Sequence, residues 1–314
     1  AGSVKVVKNE HYWDKDSVKL NGIEFYPFEN NYTEERAFRN GLIHKTYVVP
    51  PNLIPRYKKA EDPRLKLEPY IGSYFYRFNQ EDPVTKNIHL RRALSCAIDR
   101  EKIVRFVTQA GEKPAYAFTP PTEGGYQPPE MIFFDPEAAK AHLKKAGYES
   151  GADVPEFTLM INTSEAHKAV AVAIQDMWKQ HLGIDKVNIV NQEWKVYQVT
   201  IQNLEYQAAR SGWIGDYLDP KTFLSLMTSW DTNNHTGWKN DDYDRLFNES
   251  EQIGDPEQRY AKLREAEEVL LNDLPVVPIY WYTTKYLISP HVEGWQPLLL
   301  DNHPFKYVDL KEVD

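Results

Sequence analysis

Ala208-Ala-Arg-Ser-Gly-Trp-Ile-Gly-Asp-Tyr-Leu-Asp-Pro220 is the segment around which the rest of this chain is organised. It begins as an extended run that reads as the end of a strand. It then breaks at Gly212 and Gly215, where the missing Cβ lets backbone come close to a ligand. Pro220 closes it after Trp213, Tyr217 and the carboxylates Asp216 and Asp219. Gly, Asp and Pro at this density also make an ordinary surface turn. Open main chain beside Arg210, Trp213 and Asp216 suits a ligand that is extended and charged at both ends, and a peptide is such a ligand.

Outward from this stretch the pattern alternates strand and helix. Residues 157–161 read as a buried strand, 164–183 as a helix with Val170, Ile174, Met177, Trp178 and Leu182 on one face, and 187–190 as the next strand. Asp135-Pro136-Glu137 is a helix start and Gly147 its stop. Leu90, Ala93, Leu94, Ala97, Ile98 and Val104 repeat at helical spacing, and 114–129 is a Pro-rich loop. Helices are expected at about 242–253 and 257–272, and a last apolar strand at 275–282. Nearer the start, Ile23-Glu-Phe-Tyr-Pro-Phe28 and 46–49 have strand character. A short helix at 33–40 lies between them, capped by Asn31 or Thr33. The β-α-β order predicts an α/β lobe with helices against a mixed sheet, and 314 residues with 41% apolar residues suffice for two lobes.

Charge and composition narrow the classes. A net charge of −9 without a basic block argues against a nucleic-acid surface, and no segment is apolar enough to span a membrane as a helix. The single Cys96 lies within an apolar helical pattern and cannot form an internal disulfide. No HExxH, CxxC, Walker A or Gly-x-Ser-x-Gly pattern occurs, and His44, His235 and His291 are scattered. Asp216 and Asp219, three residues apart on a Pro-ended loop, are not by themselves an acid/base constellation, which leaves a glycoside hydrolase as the less favoured alternative. Neither an enzyme nor a cofactor is expected.

Ala208 to Pro220, together with Asn162-Thr-Ser-Glu-Ala-His167, Asn191-Gln-Glu-Trp194 and Thr232-Asn-Asn-His-Thr236, resembles the solute-binding proteins of bacterial peptide ABC importers, the oligopeptide-binding proteins above all. The likeness runs from His11-Tyr-Trp-Asp14 almost to the last residue. It implies a periplasmic-binding-protein-like type II fold with a complete second lobe at 73–283. The incomplete first lobe would comprise 1–72 and 284–314, the two lobes closing around an extended peptide. No signal, lipid-attachment cysteine or initiator Met stands at Ala1-Gly-Ser3, so the resemblance implies a C-terminal portion of a longer protein. That protein would be periplasmic, or lipid-anchored at the surface of a Gram-positive cell, and would deliver short peptides to a membrane ABC permease.

The resemblance also assigns roles. Asp216 matches the carboxylate that holds the peptide ammonium, a charge-assisted contact suited to an acid in a partly buried cleft. Arg210 matches an arginine that answers the peptide carboxylate for some lengths, and His167, at a helix start that favours anions, matches a histidine that does so for another. Trp194 and Trp213 would wall side-chain pockets, with Tyr217 and Asn234 beside them. Gly212 and Ile214 would offer main-chain groups, since strand addition gives affinity independent of side chains. Thr108 and Ile201 stand where some members carry a further basic group. Relatives of this fold also bind sugars, nickel chelates or haem, which forms the alternative class.

Overall fold

The computed structural model describes residues 2–122 and 125–311. Ala1 and part of the 114–129 loop therefore fall outside the described residues. In chain order the elements are β1 (Val4–Val7), β2 (Gly22–Phe25), α1 (Asn31–Arg39), α2 (Ile54–Lys59), β3 (Leu65–Phe78), α3 (Ile88–Cys96), α4 (Arg100–Lys102) and β4 (Lys113–Pro114). There follow α5 (Pro136–Lys145), β5 (Phe157–Asn162), α6 (Glu165–Leu182), β6 (Val187–Gln192), α7 (Trp194–Gln202) and β7 (Ala208–Ile214). The chain ends with α8 (Lys221–Leu224), α9 (Asp241–Ser250), α10 (Pro256–Asp273), β8 (Val276–Leu287), β9 (Val292–Glu293) and β10 (Asp309–Leu310).

The chain divides into two compact units. One holds Ala1–Tyr70, Gln109–Gly111 and Thr283–Asp314, the other Ile71–Thr108 and Glu112–Tyr282. The divisions expected after residues 72 and 283 fall here after Tyr70 and Tyr282, and 109–111, read with the second lobe, goes with the first unit.

In the first unit β1 and β2 pair antiparallel, as do β9 and β10. Its core gathers Phe38, Val49, Ile54, Tyr57 and Leu287. Two expectations are corrected here. Asn30, one residue earlier than expected, caps α1 by accepting from the Tyr32 and Thr33 amides at 2.9 and 3.1 Å. The strand expected at 46–49 is not one. Only scattered bonds tie it, from Thr46 N–H to Leu287 O and Val49 N–H to Lys285 O, and Pro50-Pro51 cannot donate to extend a ladder.

The second unit is built on a mixed six-stranded sheet of order β4-β8-β3-β7-β5-β6. β3 runs antiparallel to β7, whereas β5 is parallel to both β6 and β7. On α6, Val170, Ala171, Ile174, Met177, Trp178 and Leu182 are buried at the i, i+4, i+7, i+8 spacing that the sequence carries. Burial contributes about 1.5–3 kcal/mol for each large apolar side chain, and the fully buried Trp178 keeps its polar atom satisfied by donating Nε1–H to Leu94 O at 2.8 Å. Gly183, at φ +74°, ends the helix.

The helix expected from Leu90 through Val104 is broken. Asp99 accepts from the Lys102 amide at 3.0 Å and so starts α4 afresh, and residues Ile103–Thr108 continue as a π-helix. A capping side chain inside an apolar repeat outcompetes continuation of the helix. At α5, Asp135 accepts from the Glu137 and Ala138 amides at 3.0 and 2.9 Å, with Pro136 in the first turn. Asp135→Ala is expected to lower stability by about 1 kcal/mol. Urea unfolding followed by circular dichroism checks this, and an unmoved midpoint would deny the cap its role.

A buried carboxylate locks the loop between β4 and α5. Glu267 of α10 accepts the Phe118 and Thr119 amides, each at 2.8 Å, and the Tyr126 hydroxyl at 2.5 Å. Burial pushes this carboxyl up to about 7, against the opposite pull of those three donors.

Candidate functional site

The middle of the sheet leaves one stretch of strand half-paired. β7 pairs with β3 along its whole length, from Ala208↔Phe78 to Ile214↔Gly72. On its other side β5 pairs with Ala208 and Ala209, so from Arg210 onward β7 has, among the described residues, a strand neighbour on one side only. Gly215 N–H donates to Ile71 O and Asn79 N–H to Gln207 O, which places the odd-numbered main-chain groups toward β3. By antiparallel alternation the groups of Arg210, Gly212 and Ile214 face the open side. Arg210 O there accepts the Tyr197 hydroxyl. This open edge lies at the C-terminal ends of the parallel strands β5 and β7, where the splaying of an α/β sheet commonly makes a ligand crevice.

One face of β7 carries Arg210, Gly212 and Ile214 opposite Tyr76, Tyr74 and Gly72. Arg210 donates to the Tyr282 hydroxyl at 2.6 Å and to Asn162 Oδ1 at 3.4 Å, and lies 4.7 Å from the centre of the Tyr74 ring. Burial works against its charge, and the oxygens of Tyr282 and Tyr74 more than offset that, so the guanidinium is held charged. A Cβ on Gly212 would stand 2.5 Å from Tyr282 Oη and 3.2 Å from Arg210 Nη2. The space that the glycine leaves on this face is thus filled by Tyr282 of the same chain, while its main chain stays open along the edge. His167 lies in the first turn of α6, whose N-cap Ser164 accepts the His167 amide at 3.4 Å, and its ring packs 5.5 Å from Tyr74.

The other face borders a cavity of about 270 Å³ lined by residues of the second unit alone. Trp194 and Trp213 both line it, together with Gly212 and Ile201. Trp194 is half exposed and stacks on Tyr197 with rings 12° from parallel. Phe75, Arg77, Tyr197, Ser211 and His235 also line the cavity, and reading the sequence singled out none of them as pocket residues. The signal for Arg77 is its place in Tyr70-Ile-Gly-Ser-Tyr-Phe-Tyr-Arg-Phe78, the lone charge in an aromatic run that alternates faces.

Asp216 is not among the cavity-lining residues. It follows the strand end and is exposed, which corrects the expectation of a partly buried carboxylate. Its turn is fixed by Thr222, whose Oγ1 accepts the Asp216 amide at 3.0 Å and the Trp213 indole N–H at 3.4 Å and donates to Asp216 Oδ2 at 3.4 Å. Tyr217 beside it is 43% exposed, and partial burial raises its phenol. Asn234 serves a different purpose. Its amide donates to the carbonyls of Met227, Thr228 and Trp238 and accepts the Thr236 hydroxyl, so the side chain is spent on its own loop. Thr108 donates to Glu112 at 2.8 Å and is buried. Asp219 forms a bidentate pair with Arg259, both contacts at 2.8 Å, which makes it a structural partner of α10 and lowers its carboxyl despite burial.

The profile of bacterial extracellular solute-binding proteins, family 5 middle part, matches residues 1–235. The chain belongs to that family. It is 37% identical over 94% of its length to the oligopeptide-binding protein OppA of Bacillus subtilis, of which it covers 56%. To the periplasmic oligopeptide-binding protein OppA of Salmonella typhimurium it is 34% identical over 92% of the chain and 54% of that protein. The fold superposes with a TM-score of 0.90 on OppA of Haemophilus influenzae solved with the peptide RPPGFSPFR, at 30% identity over 98% of this chain and 62% of that one. The architecture is therefore the type II α/β binding-protein fold, and the chain spans little more than half the length of the curated relatives it matches. These family 5 relatives are binding proteins by name. No helix among the described residues is long and apolar enough to cross a membrane.

Proposed function

We propose that this chain is the peptide-holding part of an extracytoplasmic solute-binding protein that captures short peptides by their main chain and terminal charges and delivers them to an ABC permease. In this reading the second unit is the complete second lobe and the first unit part of the first lobe. The protein is periplasmic or lipid-anchored at the cell surface, and it binds without catalysing.

The observation that carries the reading is the half-paired edge of β7, where Gly212 and Ile214 turn main-chain groups to the open side. A peptide added there as a further strand would be held whatever its side chains. Asp216, exposed just past the strand end, is the acid for the α-ammonium. Arg210 and the N-terminus of α6 with His167 stand on the carboxylate side. The peptide-binding relatives named above support the same ligand class.

Asp216→Ala in the full-length protein should weaken a free tripeptide by at least ~10-fold, about 1.4 kcal/mol, and N-acetylation of the peptide should cost a similar factor. Calorimetry decides. Equal affinities for mutant and parent would remove the ammonium contact. A sugar, nickel chelate or haem retained on native purification, with no peptide bound, would replace peptides as the cargo.

A further inference from the structure

Arg77 carries a charge that the described chain does not neutralise. Its Nη2 donates to Ser211 Oγ at 2.5 Å, and its guanidinium carbon lies 5.8 Å from the Phe75 ring centre. Nε and Nη1 are shut off from water and make no hydrogen bond. A guanidinium partly withdrawn from water favours a counter-charge beside it. The cavity that Arg77 lines holds no acidic residue to provide one. Arg210, the other arginine of the lining, is tied to Tyr282 and Tyr74 on the opposite face of the sheet. His235 adds no negative charge either, since burial and the nearby Arg77 both favour its neutral imidazole. The remaining walls include Trp194, Tyr197, Ile201 and Met227, which suit an apolar stem.

We propose that this cavity is a side-chain pocket selective for an acidic residue of the bound peptide, with Arg77 as the counter-charge. The inference rests on the peptide reading above and adds a preference to it. Gly212 and Trp213 belong both to the open strand and to the cavity wall, and side chains of an added strand alternate, so one of them is directed into the cavity. A glutamate there lays its methylenes against Trp194 and Ile201 and brings its carboxylate to a guanidinium that water reaches poorly, where charge pairing is strong.

The test uses full-length protein and calorimetry with Ala-Ala-Ala and with tripeptides carrying Glu, Gln or Lys at each position in turn. Glu should exceed its isostere Gln by at least about tenfold at one position. Arg77→Gln should bring that ratio close to one, and Arg77→Glu should reverse the preference toward Lys. If Ala-Ala-Ala binds and Glu and Gln bind alike at every position, the acidic pocket is wrong and peptide capture stands. If the Glu preference survives in Arg77→Gln, Arg77 is not its source. If no peptide binds, the underlying function falls and the pocket with it.

Discussion

Exchanging Glu267 for alanine is expected to cost the second unit roughly 3–5 kcal/mol, among the larger single-residue losses available to a fold of this size. The carboxylate accepts from two amides and one phenol in the interior, and alanine would leave all three donors unsatisfied beside a new cavity. Glu267→Gln keeps an acceptor for the Phe118 and Thr119 amides and should cost much less. The same residue gives stability a pH dependence. Its carboxyl is raised to about 7 in the folded chain, so the neutral form is favoured by folding. Its contribution is complete below the unfolded value of about 4.5 and declines as pH rises through about 7, by a few kcal/mol in all. Melting temperatures of parent and Glu267→Gln between pH 4.5 and pH 8 separate this from every other titrating group. Parallel curves for the two proteins would show that Glu267 contributes nothing to the slope.

Gly212→Val should be the most damaging single change for ligand capture, weakening peptides at least ~100-fold, about 2.7 kcal/mol. A Cβ at this position would stand 2.5 Å from Tyr282 Oη, so the hydroxyl and the Arg210 guanidinium bonded to it must both move. Overpacking of this kind costs about 1–3 kcal/mol in stability, and it shifts Arg210 from its place in the proposed site. Calorimetry on protein shown by circular dichroism to be folded checks this. A folded variant with parental affinity would remove the strand edge from the binding site.

Local signals carried much of the fold. Asp135-Pro136 and Ser164 with Gly183 bound their helices as their cap chemistry dictates, and the apolar face of α6 follows its spacing. Where local signals competed, reading along the chain failed. Asp99 interrupts an apolar repeat that looked continuous, and 46–49 has strand composition but meets the end of β8 through scattered bonds rather than a ladder. At the site, Trp194, Trp213 and Gly212 come together around one cavity, whereas Asn234 is consumed by its own loop and Asp216 stands outside. Arg77, Phe75 and Tyr197 were illegible as site residues because their roles depend on strand register and on the position of α7, which spacing along one chain does not encode.

The register of β7 has an evolutionary corollary. On the proposed reading, grip resides largely in peptide units that most substitutions of side chains leave in place, while discrimination resides in groups such as Arg77 and Trp194 that project from neighbouring elements. Cargo choice in such a carrier would then drift, one pocket residue at a time, while the proposed hold on peptides as a class persisted. Libraries confined to Phe75, Arg77 and Trp194 are the natural route to binders with new tastes.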